Sequence, residues 1–118
     1  MRSVSLREPS YFVLAALLDG RLHGYAVVKR VEELSAGRVK LAAGSLYSVL
    51  DRLLGEGYVA ADGEEIVNGR ARRYYRLTDQ GHRVLAEEAD RLALAARVVR
   101  ERLSPGDGRP SNWRTSPA

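Results

Sequence analysis

One stretch of the sequence decides the fold: Gly44-Ser45-Leu46-Tyr47-Ser48-Val49-Leu50-Asp51-Arg52-Leu53-Leu54. Its apolar residues recur at steps of three and four, which places five of them on one stripe of an α-helix: Leu46, Val49, Leu50, Leu53 and Leu54. The opposite face carries short hydroxyls, one aromatic ring and one guanidinium: Ser45, Tyr47, Ser48, Asp51 and Arg52. Such a face allows close approach to a DNA major groove, where arginine can contact guanine. An ordinary amphipathic surface helix has the same pattern, so the DNA interpretation depends on the sequence that follows.

A β-hairpin is predicted directly after this helix. Gly55-Glu56-Gly57 can end the helix with a left-handed glycine, and Asn68-Gly69 predicts a type I′ turn between two strands. We expect Tyr75 and Leu77 of the return strand to point towards the core. Between Asn68 and Leu77 the chain has no acid and four arginines: Arg70, Arg72, Arg73 and Arg76. We favour a wing that contacts phosphates or a minor groove over a basic edge that prevents aggregation. The predicted contacts are Asn68, Gly69, Arg70 and Arg72.

Two helices are predicted before the helix at Gly44–Leu54, which we call the recognition helix because it would contact DNA. The first begins at Pro9, which suits a first helical turn, and the segment from Tyr11 to Leu18 is apolar on every side. Such a helix must be covered on two sides, either by its own domain and a second subunit or by the core alone. The second helix opens with Leu22-His23-Gly24-Tyr25 and extends to about Leu34-Ser35. We expect its inward face to consist of Tyr25, Val27, Val28, Val31 and Leu34.

A long helix is predicted at the end of the folded chain. Thr78 is a suitable N-cap, and the helix of about 25 residues should end before Pro105-Gly106. Its length, about 37 Å at 1.5 Å per residue, exceeds what the small domain can cover. Its apolar residues form a heptad seam: Leu85, Ala89, Leu92, Ala96, Val99 and Leu103. We predict a dimerisation helix, assisted by Tyr11 and Leu14, and the alternative is a core helix of a monomer.

Composition limits the possible functions. The chain has 118 residues, 45% of them apolar, and a net charge of +4, which weakly favours an anionic partner. It has no cysteine, and its two histidines, His23 and His82, lie in no ligand pattern, so we expect no metal and no cofactor. Without a membrane-spanning run or a signal peptide, the expected location is cytoplasmic. The fold class is mainly α with a small β-hairpin. The predicted parts are a flexible basic arm (1–8), a winged helix DNA-binding domain (9–77), a dimerisation helix (78–103) and a disordered tail (104–118).

The order of these motifs resembles the PadR family of transcriptional regulators over roughly residues 9–103. The motifs that carry the resemblance are His23-Gly24-Tyr25, Gly44-Ser45-Leu46-Tyr47, Glu56-Gly57-Tyr58-Val59 and Arg72-Arg73-Tyr74-Tyr75-Arg76-Leu77-Thr78 followed by Gly81. With one C-terminal helix the chain is similar to the short PadR subfamily, whose members dimerise through that helix and the first. The resemblance implies a homodimeric repressor that binds double-stranded DNA at a palindromic, inverted-repeat operator. It also implies release by a small aromatic or drug-like effector.

The resemblance also assigns roles to residues. It maps Ser45, Tyr47, Ser48 and Arg52 to positions that face the DNA groove, and Asn68, Gly69 and Arg70 to the wing tip. The chain departs from the family pattern in having Ala43 where proline is frequent. It also has no aromatic residue between Val84 and Leu103, where some members stack planar drugs. The aromatic candidates for effector contact are therefore Tyr11, Phe12 and Trp113.

Two other functions compete with this prediction. A winged-helix module for protein–protein contact would bind DNA weakly or without sensitivity to salt. A small enzyme would need a nucleophile–base pair, a glycine-rich phosphate loop or a metal cluster, and the sequence has no pattern for any of them.

Overall fold

The computed structural model describes residues 6–103. Its elements are α1 (Glu8–Ala16), β1 (Leu22–His23), α2 (Gly24–Leu34), α3 (Ala43–Gly55), β2 (Val59–Val67), β3 (Arg70–Leu77) and α4 (Asp79–Leu103). The predicted class, mainly α with a hairpin, is confirmed. The first helix begins one residue before the predicted Pro9. Most of the predicted arm (residues 1–5) and the predicted tail (104–118) lie outside the described residues.

The sheet has three antiparallel strands in the order β1-β3-β2. β1 is only two residues long, and its Leu22 and His23 lie opposite Tyr75 and Tyr74. The sequence analysis placed both β1 residues at the opening of α2, which is wrong, because the helix begins at Gly24. In the hairpin, Asn68 and Gly69 have φ angles of 52° and 77°. These angles agree with the predicted type I′ turn.

The core contains residues of all four helices and of β2 and β3. α1 buries Val13, Leu14 and Ala16, Leu17 is buried directly after it, and α3 buries four of the five residues of its predicted stripe, all except Leu54. In α2, Val27 and Val31 are fully buried, whereas Tyr25 is 68% exposed. Tyr25 was expected to point inward, and that prediction is wrong. At 3.6 residues per turn, Tyr25 lies roughly opposite Val27, so packing of the Val27–Val31 stripe turns Tyr25 outward.

Two local motifs connect α3, the sheet and α4. The end of α3 is closed by hydrogen bonds from the Tyr58 N–H to the Leu53 carbonyl (3.0 Å) and from the Gly57 N–H to the Leu54 carbonyl (3.1 Å). With φ of +80° at Gly57, this is a Schellman motif. Thr78 then caps α4, because its Oγ1 accepts the N–H of Gly81 at 3.0 Å. The Thr78 hydroxyl also donates to the Gly57 carbonyl at 2.6 Å, so one side chain joins the two motifs.

The chain divides into two compact units, with the division after Ala86. Val84 and Leu85 of α4 belong to the core of the first unit, and the division into a DNA-binding domain and a dimerisation helix at residue 77 stays a prediction. In the second unit, Arg91 contacts Glu88 at 2.6 Å on the same helix. Five large apolar side chains of that part of α4 are at least 40% exposed: Leu92, Leu94, Val98, Val99 and Leu103. Within residues 6–103, no helix is long and apolar enough to cross a membrane.

Candidate nucleic-acid interface

The recognition helix presents its predicted polar face to solvent. Ser45, Ser48 and Arg52 are exposed, and Tyr47 is 48% exposed. Because the opposite stripe is buried in the core, the backbone of α3 is fixed while this face remains available. The structure therefore brings the predicted groove-facing residues together on one surface of α3.

Tyr47 also links α3 to the start of α2. A Cβ atom on Gly24 would lie 2.9 Å from the Tyr47 hydroxyl and 3.4 Å from Cδ2 of Leu46. Gly24 therefore leaves the space in which the end of the Tyr47 side chain lies. The two short motifs around Gly24 and Tyr47, which are separate in the sequence, meet here in the structure.

A groove of about 520 Å³ separates this junction from the hairpin. One side consists of His23, Gly24, Tyr25 and Tyr47, and the other consists of hairpin residues between Val67 and Arg73, among them three arginines: Arg70, Arg72 and Arg73. We call it the arginine groove. Among the described strands, β1 covers β3 only at Tyr74 and Tyr75, so no strand occupies the β1 side of β3 between Arg70 and Arg73. The short length of β1 is what leaves the groove open.

The wing, which consists of β2 and β3, carries acids that the sequence analysis did not place. The register sets Glu65 opposite Arg72 and Glu64 opposite Arg73, whereas Arg70 lies opposite Val67. A bulge between Ala61 and Glu64, at which Gly63 has φ of +93°, sets that register. The predicted run of four arginines without an acid is correct for β3 alone, but β2 partly balances it. Arg70 at the tip and Arg76, which lies opposite Ala60, are therefore the wing arginines with no acid directly opposite them.

A cluster of polar and aromatic groups surrounds Tyr74. Its hydroxyl donates to the Glu65 carboxylate at 2.6 Å, which raises the pKa of Tyr74. The Arg21 guanidinium lies 4.1 Å from the centre of the Tyr74 ring, and the His23 ring meets it edge-on at 5.5 Å. Burial lowers the pKa of His23, and the charge of Arg72 lowers it further, although Glu65 acts in the opposite direction. His23 is therefore a neutral imidazole near neutral pH.

The residues predicted for dimerisation are divided between buried and exposed positions. Leu14 has no exposed surface and Leu85 has 6%, and both lie in the core of the first unit. Both side chains are enclosed in the core of their own chain, and their contact with a second subunit stays a prediction. Tyr11 and Ala89 are half-buried, and the remaining seam residues are exposed: Leu92, Ala96, Val99 and Leu103.

The residues predicted to contact an effector lie partly within the described residues and partly outside them. Phe12 is half-buried beside Tyr11, with their ring centres 5.4 Å apart. Trp113 lies outside the described residues. Among residues 6–103, no group of three potential His, Cys, Asp or Glu ligands is close enough to hold a metal ion.

Comparison with known proteins identifies the family. A family model described as the transcriptional regulator PadR-like family matches residues 13–87, which include α3, the wing and the arginine groove. The chain belongs to the PadR-like family. The transcriptional regulator Rv3488 of Mycobacterium tuberculosis is 34% identical over 99 residues, which make up 84% of this chain and 89% of that relative. The predicted resemblance is thus confirmed, and the PadR-like chain is a transcriptional regulator and not an enzyme.

Solved structures have the same fold. The PadR protein of Bacillus subtilis, solved in complex with operator DNA, is 26% identical with a TM-score of 0.61, and the match covers 69% of this chain and 47% of that one. A PadR family regulator from Clostridium difficile R20291 is 21% identical with a TM-score of 0.70, over 83% of this chain and 100% of that one. The second match supports the winged-helix architecture alone.

Proposed function

We propose that this PadR-like regulator binds an inverted-repeat operator as a homodimer, with α3 in the major groove and the wing on the DNA backbone. The observation that carries the proposal is one groove that Tyr47, on the exposed face of α3, lines together with Arg70, Arg72 and Arg73 of β3. The Bacillus subtilis relative, whose structure was solved with operator DNA, supports DNA as the partner.

Within α3, we assign the DNA contacts first to three of the exposed polar side chains: Tyr47, Ser48 and Arg52. Tyr47 and Ser48 lie in the first half of the helix, and Arg52 lies one turn further. Ser48 is the shortest, so it sets how closely the helix approaches the base edges, whereas Arg52 has the reach for a guanine or a phosphate. Ser45 lies one turn before Ser48 on the same face, and we assign it to the same contact surface.

The dimer requires a surface of its own, and we assign it to the exposed apolar residues of α4. Leu92, Val99 and Leu103 continue the heptad seam, and Ala96 allows close approach of two helices. An apolar row of this kind is normally covered in a stable protein. A two-fold axis would place the two copies of α3 in successive major grooves, about 34 Å apart. The operator is then an inverted repeat.

The regulatory part of the proposal is repression that a small aromatic effector relieves. The support is the family membership together with Tyr11 and Phe12, which form an edge-to-face pair at the partly buried side of α1. An aromatic ligand can extend such a pair. Since the named relatives are bacterial, and a regulator acts where the chromosome lies, we also propose a cytoplasmic location.

Selection of DNA by the purified full chain tests the proposal. Fragments captured from a random pool and sequenced should share an inverted repeat whose half-sites are about 10 base pairs apart, centre to centre. Footprinting on that repeat should then show loss of specific protection by Ser48→Leu, because the larger side chain blocks close approach. Glu33→Leu, at an exposed position of α2 outside the arginine groove, is the matched control and should keep the footprint.

Two outcomes would contradict the proposal in different ways. If Tyr47→Ala, Ser48→Leu and Arg52→Ala all stay folded and protect the same repeat with parental affinity, α3 does not contact the bases. If no fragment is enriched and binding to DNA is weak and insensitive to salt, the chain is instead a winged-helix module for protein contact.

A further inference from the structure

The junction of β1 and α2 supplies one wall of the arginine groove. His23 and Tyr25 line the groove opposite the wing arginines. Tyr25, which periodicity placed in the core, is 68% exposed, and Nζ of Lys29 lies 5.8 Å from the centre of its ring. These residues belong neither to the α3 face nor to the wing tip. The contacts proposed so far therefore do not explain why they line the groove.

His23 is the group in this wall whose charge can change near neutral pH. From β3 it is faced by Arg72 and by the ring of Tyr74, and from β2 by Glu65. The Glu65 carboxylate already accepts the Tyr74 hydroxyl at 2.6 Å. Tyr25, Tyr47, Arg70 and Arg73 also line the groove. The surroundings of His23 are therefore cationic towards the groove, and the nearest carboxylate is engaged by a tyrosine.

We propose that the arginine groove binds one phosphodiester group of the DNA backbone, and that His23 takes up a proton as this phosphate enters. The proposal rests on the proposed DNA-binding function and adds β1 and α2 to the contact surface. The phosphate lies between Arg72 and His23, where its oxygens accept hydrogen bonds from the guanidinium, from the imidazolium and from the Tyr25 hydroxyl. The proton comes from solvent, and the imidazole becomes an imidazolium with no other bond made or broken.

The charges around His23 explain why it is protonated when the phosphate binds. In the free protein, burial and the charge of Arg72 keep the pKa of His23 below its ordinary value. A phosphate between the two groups offsets the charge of Arg72 and itself attracts a cation, so the pKa of His23 rises in the complex. Binding therefore takes up a proton between these two pKa values, and affinity increases as the pH falls through that interval. Uptake of one proton changes Kd by at most about tenfold per pH unit.

DNA suits this groove better than a free phosphate ion does. The groove is open, and Tyr47 belongs both to its wall and to the exposed face of α3. A duplex that lies on α3 therefore brings its backbone past the groove. A free ion would have no such second contact, and its affinity would depend on the groove alone.

Fluorescence anisotropy of the full chain with a labelled duplex of arbitrary sequence, about 30 base pairs or three helical turns long, tests the proposal. An arbitrary sequence is sufficient because phosphate contacts do not depend on base sequence. At constant ionic strength, binding should tighten by up to about tenfold per unit as the pH falls from about 8 to about 5.5. His23→Gln should abolish this dependence. His82→Gln, at an exposed position in the first turns of α4 outside the groove, is the matched control and should retain it.

A second measurement keeps the proposal testable if His23→Gln does not fold. The sequence has only two histidines, so proton NMR can follow the His23 imidazole directly in the unsubstituted protein. Its pKa should rise when the duplex is added. A His23 pKa that is the same with and without the duplex would overturn the proposal.

The remaining outcomes separate this proposal from the function on which it rests. If the protein binds no duplex at any pH, the DNA-binding function fails, and this inference fails with it. If it binds but the pH dependence is absent or survives in His23→Gln, only the inference fails. If sodium phosphate alone shifts the His23 resonance, but duplex affinity is the same in sodium phosphate and in sodium chloride of equal ionic strength, the groove is a site for the free ion that the duplex does not use. That result would overturn the assignment to the DNA backbone.

Discussion

Gly81 allows a quantitative test of how α4 joins the sheet. It is the third residue of the helix, and its N–H is the one that Thr78 caps. A Cβ atom at this position would overlap the carbonyl oxygen of Tyr58 and lie 2.9 Å from its carbon and 3.0 Å from Cδ1 of Leu77. The same Tyr58 carbonyl accepts the N–H of Thr78 at 3.1 Å. Rotation of a side chain cannot relieve the overlap with Tyr58, because that neighbour is backbone.

The magnitude for Gly81→Ala follows from two opposing effects. Overpacking of a filled site costs about 1–3 kcal/mol, and a backbone neighbour places this site at the upper end, about 3 kcal/mol. Alanine in place of glycine within a helix returns about 1 kcal/mol. The expected net loss is about 2 kcal/mol, which for a domain of this size lowers the unfolding midpoint by about 8–16 °C. Gly55→Ala, at a helical position with no atom within 4 Å of the added Cβ, is the control and should not lower the midpoint.

Thermal unfolding followed by circular dichroism, with urea unfolding at fixed protein concentration, measures both variants. Fixed concentration matters because dimerisation would also change the apparent midpoint. If Gly81→Ala unfolds at or above the parental midpoint, the close packing of α4 against Tyr58 is wrong. The described connection between β3 and α4 would then be incorrect.

Two further predictions concern the proposed interfaces. Arg70→Ala and Arg72→Ala should each reduce the slope of log K against log salt by about one unit, if each arginine neutralises one phosphate. Equal slopes for the parent and both variants would exclude wing contact with the backbone. Leu92→Asp should convert the proposed dimer to a monomer in sedimentation experiments, because two buried carboxylates would face each other without partners. The control Leu92→Met should remain dimeric. A folded dimer of the Asp variant would refute the α4 interface.

The parts of the fold that could be predicted from the sequence are those whose cause lies within a few residues. Asn68-Gly69 favours positive φ at both positions wherever it occurs, and Thr78 caps the helix that begins directly after it. The stripe of α3 is also local, since its spacing alone decides which residues share a face. These predictions did not need to know what the segment packs against.

The predictions that failed depend on partners that are distant in sequence. A strand of two residues such as β1 has no period, and it exists only because β3 lies beside it. Tyr25 and Val27 both suit an amphipathic helix, and only the packing of α2 decides which of them is buried. Glu65 came to lie opposite Arg72 through a bulge near Gly63 that alternation of side chains does not reveal. The existence of a wing could therefore be predicted from the sequence, but the residues that line the groove could not.

Gly24 shows how closely the fold and the proposed contact surface depend on each other. Its backbone begins α2 directly after β1, which ends the pairing with β3 and leaves the rest of that strand open to the groove. Its missing side chain leaves the space in which the Tyr47 hydroxyl lies, so that the wall of the groove continues into the exposed face of α3. A side chain at this position would displace Tyr47 without unfolding α3, since the buried stripe that holds α3 lies on its other face. In the proposed complex, Gly24 therefore determines how the major-groove contacts of α3 and the backbone contacts of the groove are placed relative to each other, without itself contacting DNA.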